Sequence, residues 1–291
     1  MTGWGRTMEQ ERHSGAKKRM ILYRGALKSC DHRCSYCPFS KHEMTEKELE
    51  KDRVLWIRFC ESLVQKAASL DIHALLVVPY GEALIHPWYW EGLAHLSALP
   101  VMDAVGAQTN FSFPLQASLD RFIREGGEVG KLRLWATFHP EMEQIPVFAE
   151  KCREAEEAGI LLCAGAVGVP ENIGLLRRLR EALPEEIYLW INKMDGLRRP
   201  YTKEEREAFE GIDPFFYREL ETIRADAAQC AGRLFVEWDG SLRTCNISPK
   251  MGIDWYDLQD ALPDPVCGRK RCTCFLAYGG RADLAGKEAF G

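Results

Sequence analysis

Three cysteines crowd one short stretch of the chain. Cys30, Cys34 and Cys37 stand at C-x3-C-x2-C, directly after an apolar run suited to a first strand. Three thiolates from one loop can ligate three irons of a cubane [4Fe–4S] cluster, leaving the fourth iron open to a substrate or cofactor. A zinc ion would want a fourth Cys or His nearby, and His32 and His42 stand close enough in sequence to supply one. The bacterial ferredoxin run, C-x2-C-x2-C, is spaced differently. Five further cysteines, Cys230, Cys245, Cys267, Cys272 and Cys274, form a second group toward the C-terminus. They suit a second cluster or a structural zinc site. Cys60 and Cys152 fall in helical stretches and read as packing residues. Cys163 lies within an apolar strand. It is a candidate hydrogen donor or radical relay if it faces the interior, against the plainer reading of a buried core thiol.

Such groups need elements to hold them. Short apolar runs at Arg19–Arg24, Ala74–Val78, Asp103–Thr109, Lys131–Thr137, Ile160–Val167 and Ile187–Asn192 read as strands, and several are near-continuously apolar, as buried parallel strands are. Amphipathic stretches lie between them. The first opens on Thr45-Glu46-Lys47-Glu48, a capping box, and Leu49, Trp56, Phe59, Leu63 and Ala67 mark its buried face. Others fit Pro87–Leu99, Pro114–Glu125, Gln144–Ala158, Glu171–Leu183 and Lys203–Thr222. Six βα units imply an α/β fold with a parallel sheet, whose functional groups collect beyond the carboxyl ends of the strands. Polar residues stand at those ends: Gly81 and Glu82 after strand two, Thr109 and Asn110 at strand three, His139 after strand four, Lys193 after strand six. Any one of them is also ordinary turn chemistry. After residue 222 the pattern changes. Leu234–Trp238 and Ser241–Cys245 flank Asp239-Gly240, a two-residue hairpin signal.

Composition narrows the field. The 291 residues carry a net charge of −5, with 46% apolar and 28% charged residues. That is the profile of a globular chain, and its mild acidity argues against nucleic acid as the main partner. Eleven cysteines cannot all pair with one another, so a full disulfide framework is excluded. No apolar run is long enough to span a bilayer, and residues 1–18 read as a polar, flexible arm without signal-peptide character. A cytoplasmic location is the expectation.

Cys30-x3-Cys34-x-Tyr36-Cys37 after strand one resembles the signature loop of the radical S-adenosylmethionine (SAM) superfamily, which places an aromatic before the last cysteine. Pro79-Tyr80-Gly81-Glu82-Ala83-Leu84 resembles its Gly-Gly-Glu-Pro segment, with Tyr80 for the first Gly and Ala83 for the Pro. The resemblance implies a partial (β/α)6 TIM-like barrel over residues 19–222. It implies that Cys30, Cys34 and Cys37 hold a [4Fe–4S] cluster. Tyr36, Gly81, Glu82, Thr109 and Asn110 would then line the SAM site, with Gly81 and Glu82 at the methionine ammonium. Catalytic candidates are Cys163, His139 and Lys193. Cys230-x9-Gly240-x4-Cys245 is similar to the opening of the auxiliary-cluster extensions called SPASM or twitch, implying a cysteine-rich extension over residues 223–291. Four of its five cysteines would hold one auxiliary [4Fe–4S] cluster. Within the superfamily the pattern resembles a small bacterial subfamily. The implied activity is reductive SAM cleavage and hydrogen abstraction from a peptide or small molecule, with an electron from a flavodoxin- or ferredoxin-type reductase. A sugar or nucleotide substrate is the first alternative, and a non-catalytic iron–sulfur or zinc protein the second.

Overall fold

A computed structural model describes residues 18–39, 42–220, 223–224, 232–259, 261–262 and 271–272. Six parallel strands follow one another in space as in sequence: β1 (Arg19–Arg24), β2 (Ile72–Val77), β3 (Ala104–Thr109), β4 (Leu132–Phe138), β5 (Leu161–Gly168) and β6 (Leu189–Lys193). Between them run α1 (Glu46–Lys66), α2 (Pro87–Ser97), α3 (Leu115–Arg124), α4 (Ile145–Glu157) and α5 (Ile173–Ala182). The expected strands are all present, with ends shifted by one or two residues. Among the described residues the sheet does not close, so the fold is a partial barrel.

Alternation along each strand sorts side chains onto two faces. Ile21 and Tyr23 of β1, Leu75 and Val77 of β2, and Leu134 and Ala136 of β4 pack outward against the helices. Met20, Leu22, Leu76, Val78, Trp135, Cys163 and Trp190 fill the concave inner face. The helices meet the sheet through matching apolar stripes. Helix α1 starts at the expected capping box, Thr45 accepting from the Glu48 amide and Glu48 reaching back to the Thr45 amide at 2.8 Å. Trp56, Phe59, Leu63 and Ala67 are then fully buried, and Phe59 stacks on Tyr23 at 4.0 Å. Truncating Trp56 to alanine would cost about 3–5 kcal/mol.

The last expected helix divides. Lys203–Glu210 forms α6 and Phe216–Leu220 forms α7. Pro214 disfavours a helical Asp213, and Asp213 turns inward instead. Its carboxylate accepts from the Ile191 amide at 2.9 Å and the Tyr188 hydroxyl at 2.6 Å, while Glu219 accepts from the Lys193 amide at 3.1 Å. Two acidic side chains thus serve amides on the edge of β6 that a further strand would otherwise satisfy.

The chain then forms β7 (Ile223–Arg224), β8 (Arg233–Glu237), β9 (Ser241–Arg243), β10 (Lys250–Asp254) and β11 (Arg271–Cys272). Strand β8 pairs parallel with the free edge of β1, and β9 and β10 follow it antiparallel, giving the order β10-β9-β8-β1-β2-β3-β4-β5-β6. Strands β7 and β11 pair separately. The hairpin differs from its expected form by one residue. Phe235 pairs with Arg243 and Val236 with Leu242, so Trp238, Asp239 and Gly240 form a three-residue connection. The Gly240 amide donates to the Glu237 carbonyl at 2.9 Å and Gly240 has φ +85°. This is a tight turn closed by a left-handed residue, which glycine adopts without strain.

Candidate metal and cofactor site

The cysteine loop leaves β1 at its carboxyl end and is fastened at several points. The first is Asp52, which sits on the buried stripe of α1 between Leu49 and Trp56. It is wholly buried and accepts from the Tyr89 hydroxyl at 2.9 Å. Burial raises its pKa against the pull of Tyr89, Trp88 and the Leu27 and Ala26 amides, which lie against the carboxylate at the root of the loop. The second is backbone contact with the turn after β2. The Ser29 carbonyl accepts from the Glu82 amide at 3.1 Å, and a Cβ on Gly81 would stand 1.7 Å from that same oxygen. Only glycine permits this approach.

Glu82 ties the ends of β2 and β3 together. Its carboxylate accepts from the Thr109 hydroxyl at 2.9 Å, the Asn110 amide at 2.6 Å and the Leu84 amide at 2.9 Å. Burial pushes its pKa up to about 7, against those three donors. Thr109 also accepts from the Phe111 amide at 2.9 Å, so its hydroxyl faces the protein on both counts. The Asn110 side chain reaches the cysteine loop. Its Nδ2 donates to Asp31 Oδ1 at 2.9 Å and to Cys30 Sγ at 3.5 Å.

The other side of the loop meets β4. Tyr36 and His139 share a hydrogen bond of 2.9 Å, and the Ser35 amide donates to Glu141 at 2.6 Å. The Tyr36 hydroxyl also pairs with the Cys34 thiol. The ligand atoms of His32, Cys34 and His139 all lie within 4.8 Å of one another. Burial, and then the neighbouring His32, lower the His139 pKa to about 4. Burial pushes the Cys30 thiol up to about 12 and the Cys34 thiol to about 11. Thiols shifted this way hold their protons, and a bound cation reverses this by stabilising the thiolates. Three thiols on one loop, with an amide donor aimed at one sulfur, are a donor set that fits an iron–sulfur cluster.

Arg24, the last residue of β1, links this region to the C-terminal strands. Its guanidinium donates to the Val78 carbonyl at 3.1 Å, the Tyr80 hydroxyl at 3.1 Å and Asn246 Oδ1 at 2.8 Å, and it lies over the Tyr80 ring at 4.2 Å. Phe39 also packs on Tyr80, at 5.0 Å between ring centroids. Tyr80, where the resemblance expects glycine, is therefore an anchor for the arginine.

The remaining sequence candidates lie on other elements. Cys163 faces inward as alternation predicts, but near the start of β5, beside Trp135, with its thiol directed to the Ala164 and Tyr188 carbonyls. Lys193 ends β6. In the second group, Cys245 lies in a turn where its amide donates to Ser248 Oγ at 3.1 Å, while the Ser248 amide donates back to the Cys245 carbonyl at 3.2 Å. Cys230, Cys267 and Cys274 lie outside the described residues, and of Cys272 only the backbone, in β11, is described. Sequence reasoning missed Arg24 and Asp52. Both left a signal: a charge on the inner face of an apolar strand, and an acid on the apolar stripe of a helix.

No family model matches the chain, and no curated protein matches it. Among solved structures, it resembles polyhistidine-tagged anSMEcpe with bound AdoMet (SAM), with a TM-score of 0.54 at 15% identity over 82% of this chain and 78% of that one. Native anSMEcpe with bound AdoMet and the Kp18Cys peptide gives the same TM-score, identity and coverage. What is shared is the fold. It is the partial barrel of these AdoMet-bound proteins, reached at an identity too low to carry more. No described helix is long and apolar enough to cross a membrane.

Proposed function

We propose that this chain is a radical SAM enzyme. The observation that carries the reading is the seating of the Cys30-Cys34-Cys37 loop at the carboxyl end of β1, pressed through Ser29 onto the Gly81-Glu82 turn of β2. The AdoMet held by proteins of the same fold supports it. When bound, the [4Fe–4S] cluster and SAM supply reductive cleavage of the sulfonium, giving methionine and a 5′-deoxyadenosyl radical that takes a substrate hydrogen. The chain's part is to hold and orient. Cys30, Cys34 and Cys37 would ligate three irons. Glu82 fixes the turn whose backbone would meet the methionine ammonium, and Tyr36 steadies Cys34. The polar ends of β3, β4 and β6 form the rim that meets a peptide or small-molecule substrate. Four of Cys230, Cys245, Cys267, Cys272 and Cys274 would hold an auxiliary [4Fe–4S] cluster, and a flavodoxin- or ferredoxin-type reductase would deliver the electron.

Anaerobic reconstitution tests the reading. Protein carrying about eight irons per chain, two cubanes, is expected to convert SAM to 5′-deoxyadenosine under reduction. Loaded, reduced protein that forms none overturns it. A second reading rests on His32, Cys34 and His139, which form a mixed nitrogen–sulfur set suited to one zinc ion. About one zinc per chain with no acid-labile sulfide would select that reading instead.

A further inference from the structure

Asn110 is held more firmly than a residue at a strand end needs to be. Its amide donates to Glu82, its Oδ1 accepts from the Ser112 amide at 2.9 Å, and its Nδ2 is left pointing at Cys30 and Asp31. The next residue, Phe111, is fully buried with φ +60°. A bulky side chain in the left-handed region costs about 1–2 kcal/mol. Two contacts maintain it: the Phe111 amide on Thr109, and the Phe111 carbonyl, which accepts from Lys151 Nζ at 2.7 Å. Lys151 is fixed in turn by Glu143 at 3.1 Å. Strained backbone kept in place by its surroundings is a mark of functional positioning. Here the strained turn aims one side-chain amide at a sulfur.

We infer that Asn110 is a positioning residue that sets the reduction potential of the Cys30-Cys34-Cys37 cluster by donating a hydrogen bond to the Cys30 sulfur. The inference rests on the cluster reading above. One electron from a one-electron reductant takes the cluster from the 2+ to the 1+ state, with no proton and no bond exchanged. The added negative charge spreads onto the thiolate sulfurs. An N–H donor there stabilises the reduced state more than the oxidised one, so it raises the potential. Asp31, one residue along and sharing the same Nδ2, works in the opposite direction by placing a carboxylate beside the sulfur.

The test is a redox titration of the reconstituted protein without SAM, followed by the electron-paramagnetic-resonance signal of the reduced first cluster, in chains carrying Cys245→Ser to simplify the spectrum. Asn110→Leu removes the donor at similar volume and is expected to weaken reduction about fivefold, equal to about 40 mV downward at 59 mV per tenfold. Asn110→Asp keeps the acceptor for Ser112, so it carries the test if the leucine variant fails to fold, and it is expected to fall further. Asp31→Asn separates the two neighbours. The drop on Asn110→Leu should persist in that background. A drop that vanishes there acts through Asp31 and overturns the inference, as does an unchanged or raised potential in both Asn110 variants. A parent protein that takes up no cubane overturns the cluster reading and this inference with it. A cubane with an Asn110-independent potential sinks only the inference.

Discussion

The two cysteine-bearing regions are held by different means. The loop after β1 is fastened from β2 through Gly81, from β3 through Asn110, from β4 through His139 and Glu141, and from α1 through Asp52. Cys245 is held by a turn with Ser248 three residues away, while its neighbour Asn246 accepts from Arg24 and Ile247 packs on the inner face of the sheet. The first region draws its shape from the barrel. Around Cys245 the described side-chain bonds are local, and the strands that carry it, β8, β9 and β10, meet the barrel along the free edge of β1 and through α1. The lesson is that a site built by the fold is ready before its metal, while a site built by a turn depends on the metal to complete it.

Substitutions can break or sharpen this contrast. The largest effect is expected from Cys34→Ala, which should reduce 5′-deoxyadenosine formation to background and halve the bound iron, whereas Cys245→Ser should halve the iron and leave SAM cleavage in place. Loss of cleavage in both would mean that the regions are not separable. Next in size, Gly81→Ala forces a Cβ onto the Ser29 carbonyl and should cost about 3 kcal/mol in denaturant unfolding. A cost near zero would show that the loop can shift and is not fastened as described. Iron removal by a chelator should then leave the amides of the β1 loop protected in hydrogen exchange and expose those around Cys245 to Ser248. Equal protection in both regions would erase the comparison. The smallest change is expected from Ser248→Ala, about 0.5–1.5 kcal/mol from one turn. Its effect should grow when the metal is removed, as read from the shift of the thermal midpoint with and without chelator.

Much of the architecture was legible because periodicity is a local signal. The six strand runs and the Thr45 capping box depend on residues within a few positions of one another. Helix α6 stopped short because Pro214 acts together with a tertiary partner, the edge of β6, that no local pattern displays. The hairpin shifted by one residue because Asp239-Gly240 suits both a two-residue turn and the end of a three-residue one, and pairing with β1 decides between them. The cysteine spacing and the Gly-Glu turn could be read directly. The roles of Glu82 and Thr109 as partners of each other could not, since they lie on different strands. Asn110 was legible as a polar strand end, but its aim at Cys30 depends on the left-handed Phe111 beside it, a conformation that sequence assigns to glycine or asparagine by habit.

The pairing of β8 with β1 has a consequence for how the protein is made. Met20 meets Arg233 and Arg24 meets Glu237, partners more than two hundred residues apart. At ribosomal speeds of about 5–20 residues per second, the edge of β1 waits roughly 10–40 s for its neighbour. Contacts of such long range also slow the final folding step. During that interval the strand bearing the cysteine loop has an open flank, and Arg24 lacks Asn246. Cluster delivery to a nascent chain would meet a half-walled site, so assembly timed after release from the ribosome is the order that this topology favours.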